Sequence, residues 1–281
     1  EILPSDWSSD VCSSDLDVLL PQLLALLSPE AKRLLMGLAL FRRPVERPAA
    51  IFVLGTPVEG RTAENGANGA PDPPFATDLP VDDLLDELVS TTLLTRLQSA
   101  GGSSPQWFVH RWTASAMERQ EESAVETAEE DKAERHRRAA VYWMWHYRAT
   151  DQSREADVND LMECYAHFGE AGDVKQSDDA AQGAARILNR IGRWDDEWKL
   201  ANRQLQNTRL NLNKDRQAAW HHELGVLAQA RGDYDTAHNR YEQSLSIFEE
   251  LGNRAGMANT YHQLGVLAQA RGDYDTAHNR Y

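Results

Sequence analysis

The chain has 281 residues, with 44 acidic against 29 basic side chains, a formal net charge of −15 and two cysteines. That surplus of carboxylates disfavours non-specific binding to nucleic acid, which needs Lys and Arg against phosphates. Two cysteines support no disulfide framework, so a reducing cytoplasm is the expected setting, and no apolar run approaches the ~20 residues that span a bilayer.

Residues 1–16 stand apart from the rest. The string DWSSDVCSSDL, Asp6 to Leu16, has neither helical nor strand periodicity. It resembles the read-through translation of a sequencing adapter, and Glu1 to Ser5 fit the index region before one. The expectation is that residues 1–16 are an artefact and not native protein, that the chain is a bacterial, metagenomic gene fragment, and that fold reasoning starts at Asp17. Cys12 falls away with them, leaving Cys164. The chain remains acidic without Glu1, Asp6, Asp10 and Asp15.

From Asp17 the leucine-rich run Leu19 to Leu27 is too short to span a membrane and contains Pro21. Ser28-Pro29-Glu30 then reads as an N-cap and first-turn proline opening a helix, which the apolar run Leu34 to Phe41 continues. A second apolar run, Ala49 to Leu54, is strand-like over Ile51 to Leu54. The Gly-, Pro- and Asn-rich stretch 55–80 is expected to be a disordered insertion, with too little apolar surface to fold. A short helix over Val81 to Val89, a strand-like Thr91 to Leu97, a Gly-Gly-Ser-Ser turn and a second strand, Gln106 to His110, follow. Helices ahead of a β-hairpin suggest a winged-helix-like domain over 17–118.

The segments LSPEAKRLLMGLALF, DDLLDELVSTTLLTRL and WFVHRW resemble the winged-helix region of STAND NTPases, the NB-ARC-like signalling ATPases. In that family a nucleotide-binding domain precedes the winged helix, and helical repeats follow it. The resemblance therefore implies a parent ATPase using ATP or ADP, with no cofactor in this fragment. Val109-His110-Arg111 resembles the family's Met-His-Asp motif, which makes His110 the candidate nucleotide-sensing residue, although Arg111 stands where an acid is expected.

Other chemistry is less well supported. Gly55 to Thr62 looks like a phosphate loop with Arg61 in the lysine position, but the prolines and glycines after it cannot open the helix that such a loop requires. In a DNA-binding winged helix the helix before the wing would be the reader, and here it carries Asp82, Asp83, Asp86 and Glu87, which repel phosphate. His221 and His222 are adjacent and point about 100° apart on a helix, unlike a metal-binding pair one turn apart. No catalytic or metal site follows. Residues 119–176 read as a helical linker: Glu118 to Arg138 is a solvated, charge-rich face, and Tyr142 to Tyr147 is an aromatic segment suited to core packing between winged helix and repeats.

The strongest signal lies in 177–281. HELGVLAQARGDYDTAHNRY, His222 to Tyr241, recurs 40 residues later as His262 to Tyr281, and only Glu223 and Gln263 differ. Leu224, Leu227 and Ala228 share one helix face, Gly232-Asp233 breaks the helix, and Tyr234, Ala237, Tyr241 and Leu245 share the next. Gly232 suits a left-handed turn and Asp233 a cap. These residues, with Leu264, Gly265, Gly272, Tyr274, Ala277 and Tyr281, resemble the tetratricopeptide repeat (TPR), in its longer bacterial variant. IGRWDDEWKLANRQL aligns Gly192 with Gly232 and Trp194 with Tyr234, a divergent repeat in which Glu197 replaces Ala237.

The fold expected is mainly α, a winged-helix-like module followed by an α-solenoid truncated within a helix at its C-terminus. In the family the first helix of each pair lines the concave face. By helical spacing its positions not needed for packing within a pair are His222, Val226 and Gln229, repeated as His262, Val266 and Gln269, the expected groove for a protein or peptide partner. The function expected is a protein-interaction scaffold, the sensor portion of a STAND-type signal-transduction ATPase. A stand-alone TPR adaptor is the alternative, and a winged-helix transcriptional regulator is disfavoured by charge.

Overall fold

The computed structural model describes residues 19–59, 73–98, 104–122, 128–149, 156–210 and 213–280. They are mainly helical and fall into two units that divide between Ser177 and Asp178.

The first unit opens with helix α1 (residues 19–26) and α2 (Pro29–Leu38). Ser28 caps α2 by accepting the Ala31 N–H at 3.2 Å, and its own N–H and hydroxyl donate to the Glu87 carboxylate at 2.7 and 2.9 Å. A charge-assisted pair of this kind fixes the start of α2 against the helix carrying Glu87. Strand β1 (Val45–Glu46) leads directly into α3 (Arg47–Leu54). The strand-like reading of Ile51 to Leu54 is thus corrected. Pro48 pre-sets the first helical turn, and Ala49, Ala50, Phe52 and Leu54 are all buried. The approach of α2 to α3 is close enough that a Cβ on Gly37 would lie 2.3 Å from a Val53 methyl.

The stretch 55–80 also differs from expectation at both flanks. Strands β2 (Thr56–Pro57) and β3 (Phe75–Ala76) pair antiparallel, and the Phe75 ring sits 5.0 Å from that of Phe52. The Val58 N–H also donates to the Pro74 carbonyl at 3.0 Å, and Arg138 lies over the Phe75 ring, 5.5 Å from its centroid; residues 60–72 lie outside the described residues. Helix α4 (Val81–Ser90) buries Val81, Leu84, Leu85 and Leu88, an apolar stripe at helical spacing. The strand expected from Thr91 begins only at Thr95, because Thr92 turns the chain in the left-handed region (φ 61°). Strands β4 (Thr95–Leu97) and β5 (Gln106–Phe108) form the hairpin, and β1 pairs with β5 to give the order β1-β5-β4. Helix α2, strand β1, helices α3 and α4 and the hairpin follow in that order, with β1 added to the hairpin and the β2–β3 pair between the two helices.

Helices α5 (Arg111–Glu122), α6 (Ala128–Ala149) and α7 (Ala156–Glu170) complete this unit. Tyr142 and Trp143 of α6 are buried, with Phe41 at 5.4 and 5.9 Å from their ring centroids and Phe52 at 5.6 Å from Tyr142. The aromatic segment is therefore core of this unit. Arg138 of the same helix donates to the carbonyls of Gly55 (2.7 Å) and Val53 (3.2 Å), capping the C-terminus of α3 with a cation. Cys164 is buried and free.

The second unit is built of helix pairs. Helix α8 (Val174–Arg190) crosses the boundary and α9 (Trp194–Leu210), α10 (Lys214–Ala230), α11 (Tyr234–Leu251), α12 (Arg254–Ala270) and α13 (Tyr274–Arg280) follow. Gly232, Gly252 and Gly272 end α10, α11 and α12 with φ of 66–79°. The amide that follows each glycine then closes back onto the helix: Asp233 to Ala228, Asn253 to Phe248 and Asp273 to Ala268, each at 2.9 Å. That is the left-handed stop that glycine makes inexpensive. Asp233, Asn253 and Asp273 cap the following helix through the amides of Thr236, Gly256 and Thr276 at 3.0–3.1 Å. Gly192 (φ 77°), followed by Arg193 bonded to Leu188, repeats the stop after α8.

Candidate partner-binding face of the repeats

Helix α10 packs on α11 because two small residues admit one large one. A Cβ on Gly225 would lie 2.6 Å from the Tyr241 ring, and Tyr241 is itself fully buried. Ala228, Ala237, Tyr241 and Leu245 form a core with Leu264 and Leu267 of α12, which seats the next pair on this one.

The predicted groove residues take part in this packing. His222 is half-buried, its ring 5.5 Å from that of Tyr241 and its Nδ1 3.3 Å from the Thr260 hydroxyl. Val226 packs against the core cluster. Gln229 accepts the Tyr241 hydroxyl at 3.0 Å through Oε1. The expectation that these three are not needed for packing within a pair is corrected: Tyr241 is long enough for its hydroxyl to reach past the helix interface to Gln229. In the second copy His262 and Gln269 are exposed and Val266 is half-buried. Burial lowers the His222 imidazole below its ordinary range, which keeps it neutral. Glu223, the position at which the copies differ, has its carboxyl raised by desolvation against the lowering pull of Arg186.

The divergent pair keeps the geometry with different volumes. Glu197, in the place of Ala237, is 2% exposed, and Ala201, in the place of Tyr241, is fully buried. The smaller side chain leaves room for the larger. Asn189, one repeat before Gln229, donates to Glu197 Oε2 at 3.1 Å, and desolvation pushes the Glu197 carboxyl up to about 7. Adjacent pairs are also clasped at the surface: Arg231 reaches Asp195 at 2.8 Å, and Arg271 reaches Asp235 at 2.6 Å. Arg231 lies over the Trp198 ring as well, 5.2 Å from its centroid.

Side chains that sequence reasoning did not single out include Trp220, whose Nε1 donates to the buried Asp178 at 2.7 Å. Another set lies in the first unit, where the buried Asp160 accepts Arg43 at 2.7 Å and meets His146 Nδ1 at 2.6 Å. These pairs are far apart in sequence and carry no motif. His110 is exposed at the end of β5, and its Nδ1 accepts the Trp112 N–H at 3.4 Å. Of the loop Gly55 to Thr62, Gly60 to Thr62 lie outside the described residues, and Thr56-Pro57 are in β2. Among the described residues no group of three or more His, Cys, Asp or Glu is placed to hold a metal, and no helix is long and apolar enough to cross a membrane.

The tetratricopeptide repeat family matches residues 215–281, and this part of the chain is a tetratricopeptide-repeat array. No curated protein sequence matches the chain. Among solved structures it is similar to the apo form of RapI, at 16% identity and a TM-score of 0.44 over 60% of each chain. It is similar to BtubC (BKLC) from P. vanneervenii at 18% identity and a TM-score of 0.34, over 55% of this chain and 71% of that one. A signal transduction ATPase with numerous domains and a tetratricopeptide repeat sensor, from Pyrococcus horikoshii, aligns at 12% identity and a TM-score of 0.31, over 99% of this chain and 52% of that one. The chain therefore spans 60% of the length of RapI and about half that of the Pyrococcus protein. Alignments at these scores add nothing to the fold assignment, which rests on the repeats themselves.

Proposed function

We propose that the chain is a protein-interaction scaffold whose repeats receive a protein or peptide partner on the face formed by the first helix of each pair. The observation that carries this reading is the regular helix-pair array matched as tetratricopeptide repeats over residues 215–281. In this reading His222, Val226, Gln229, His262, Val266 and Gln269 belong to that face, and of these His262 and Gln269 are exposed. None is cationic, so a partner docks through apolar and hydrogen-bonded contacts with a shallow salt dependence, without a clamp for a terminal carboxylate. Nucleic acid and membrane are not partners in this reading, and the setting is cytoplasmic.

In the same reading residues 17–118 are a winged-helix module, 119–176 a helical linker and 177–281 the array. The whole is the sensor portion of a STAND-type signalling ATPase, with ATP or ADP bound in a separate nucleotide-binding domain and His110 facing it. What supports it is the order of a winged-helix-like unit before repeats. A stand-alone adaptor without an NTPase is the second reading. A DNA-binding regulator is disfavoured because α4 carries Asp82, Asp83, Asp86 and Glu87.

The test is selection of displayed peptides on the full chain, followed by titration of the best binder. His262→Ala with Gln269→Ala is expected to weaken it about tenfold. Undiminished binding to that variant, combined with loss on replacing exposed residues of α11, would refute the assignment of the face.

A further inference from the structure

Away from the repeats, the first unit holds a half-open cavity of about 550 Å³ between the end of α2, the end of β5, helices α5 and α6 and the end of α7. Its lining reverses the sign of the protein. The chain as a whole carries −15, yet Arg42, Arg111, Lys132 and Arg135 line this space against only two carboxylates, Glu118 and Glu170. Glu118 is 3.6 Å from Lys132. Arg135 is 11% exposed and 3.6 Å from Asp131. The N-terminus of α5 opens onto the same cavity at Arg111, adding the positive end of a helix dipole. His110 sits at the rim, and His136, 6% exposed, forms part of the wall.

The remaining lining is apolar, with Met36, Leu40, Phe41, Phe108 and Met117 among it. Three guanidinium groups beside an apolar floor suit a ligand that combines a dianionic head with a hydrophobic body. A guanidinium fork matches phosphate oxygens in pairs, and a phosphomonoester near neutral pH carries close to two negative charges, the excess of lining cations over lining carboxylates. Desolvation is the main cause that lowers the His136 imidazole; among the charges Glu170 raises it most, and Lys132, Arg135 and Arg42 each lower it.

We infer that this cavity is a binding site for a small organic phosphate, its phosphate held by Arg42, Arg111, Lys132 and Arg135 and its apolar part against Phe41 and Met117. The site lies on the helices that join the winged-helix-like sheet to α7. A ligand there bridges α2, α5 and α6 and stabilises the first unit by mass action.

Calorimetric titration of the full chain with phenyl phosphate tests it, with phenol, benzoate and inorganic phosphate as comparison arms. Saturable one-to-one binding of phenyl phosphate is expected, with inorganic phosphate about tenfold weaker and phenol not binding. Arg42→Gln with Lys132→Gln removes two of the four lining cations, one from each side of the cavity, and is expected to weaken phenyl phosphate at least about tenfold, at an unchanged circular dichroism spectrum. Arg231→Gln with Arg271→Gln, on the repeats, is expected to leave it unchanged. If the Arg42/Lys132 variant loses its helical spectrum, Arg42→Gln alone replaces it, with a threefold or greater loss of affinity expected. No saturation by about 10 mM phenyl phosphate, tighter binding of benzoate, or a loss on the Arg231/Arg271 variant in place of the cavity variant would each overturn the inference.

Discussion

The pair α8–α9 and the pair α10–α11 solve the same packing problem in opposite ways. In α10–α11 a glycine and an alanine, Gly225 and Ala237, make space for a buried tyrosine whose hydroxyl is accepted by Gln229. At the corresponding positions α8–α9 has Ala185, Glu197 and Ala201, so the bulk sits one turn earlier on the second helix and its polar end is met by Asn189. The turn geometry, with glycine in the left-handed region, is the same in both. A helix pair of this kind is thus specified by its stop signals and by total buried volume, while the position of the large residue is free to move. At these positions only the second solution buries a carboxyl group.

The sharpest way to break the comparison is Tyr241→Ala. Removing a fully buried aromatic is expected to cost about 3–5 kcal/mol in denaturant unfolding, whereas Ala201 shows that the backbone accepts alanine when the volume is supplied elsewhere. Gly225→Ala alone is expected to cost about 1–3 kcal/mol, because its Cβ meets the Tyr241 ring at 2.6 Å. Placed in the Tyr241→Ala background, the same change is expected to cost close to nothing, and a double-mutant cycle reads that coupling directly. Additive effects would show that the two residues do not share one space.

Glu197 gives the divergent pair a pH signature of its own. Its folded pKa stands at about 7, above the ordinary 4.5, so the stability it contributes is complete below about pH 4.5 and is lost as pH rises through about 7. Glu197→Gln is expected to remove this loss, raising stability by about 1–2 kcal/mol at pH 8 and changing little at pH 4. Thermal midpoints across that range decide it. The smallest effect belongs to the clasp: Arg231→Gln is expected to cost about 0.5 kcal/mol at low salt and less at 1 M, because Asp195 is 88% exposed.

Sequence periodicity carried the repeat architecture well. Gly232-Asp233 and Gly272-Asp273, each between two apolar stripes, are local signals, and the turns form where such signals place them. The first unit was harder to read. Ile51 to Leu54 is too short an apolar run to distinguish strand from helix, and β1 has two residues whose pairing with Gln106 and Trp107 no local pattern encodes. Spacing grouped His222, Val226 and Gln229 on one side of a helix, but did not show the reach of the Tyr241 hydroxyl to Gln229. Glu197 read as a defect of the repeat, although Ala201 four residues later already held the compensating space. The cations of the cavity come from positions as distant as Arg42 and Arg135, and only the tertiary fold brings them to one wall.

The clasp between pairs has an implication for fidelity of assembly. Arg271 grips Asp235 as Arg231 grips Asp195, so this contact carries no address that distinguishes one neighbour from another. Two molecules can trade a helix pair and satisfy the same ion pair between chains, the route by which repeated segments entangle as domain-swapped chains. What favours the neighbour within one chain is its short tether. A turn of a few residues holds the next pair at a millimolar effective concentration, far above the concentration of any second copy in dilute solution. Correct stacking is therefore enforced by connectivity more than by recognition, and crowding many copies together erodes that advantage.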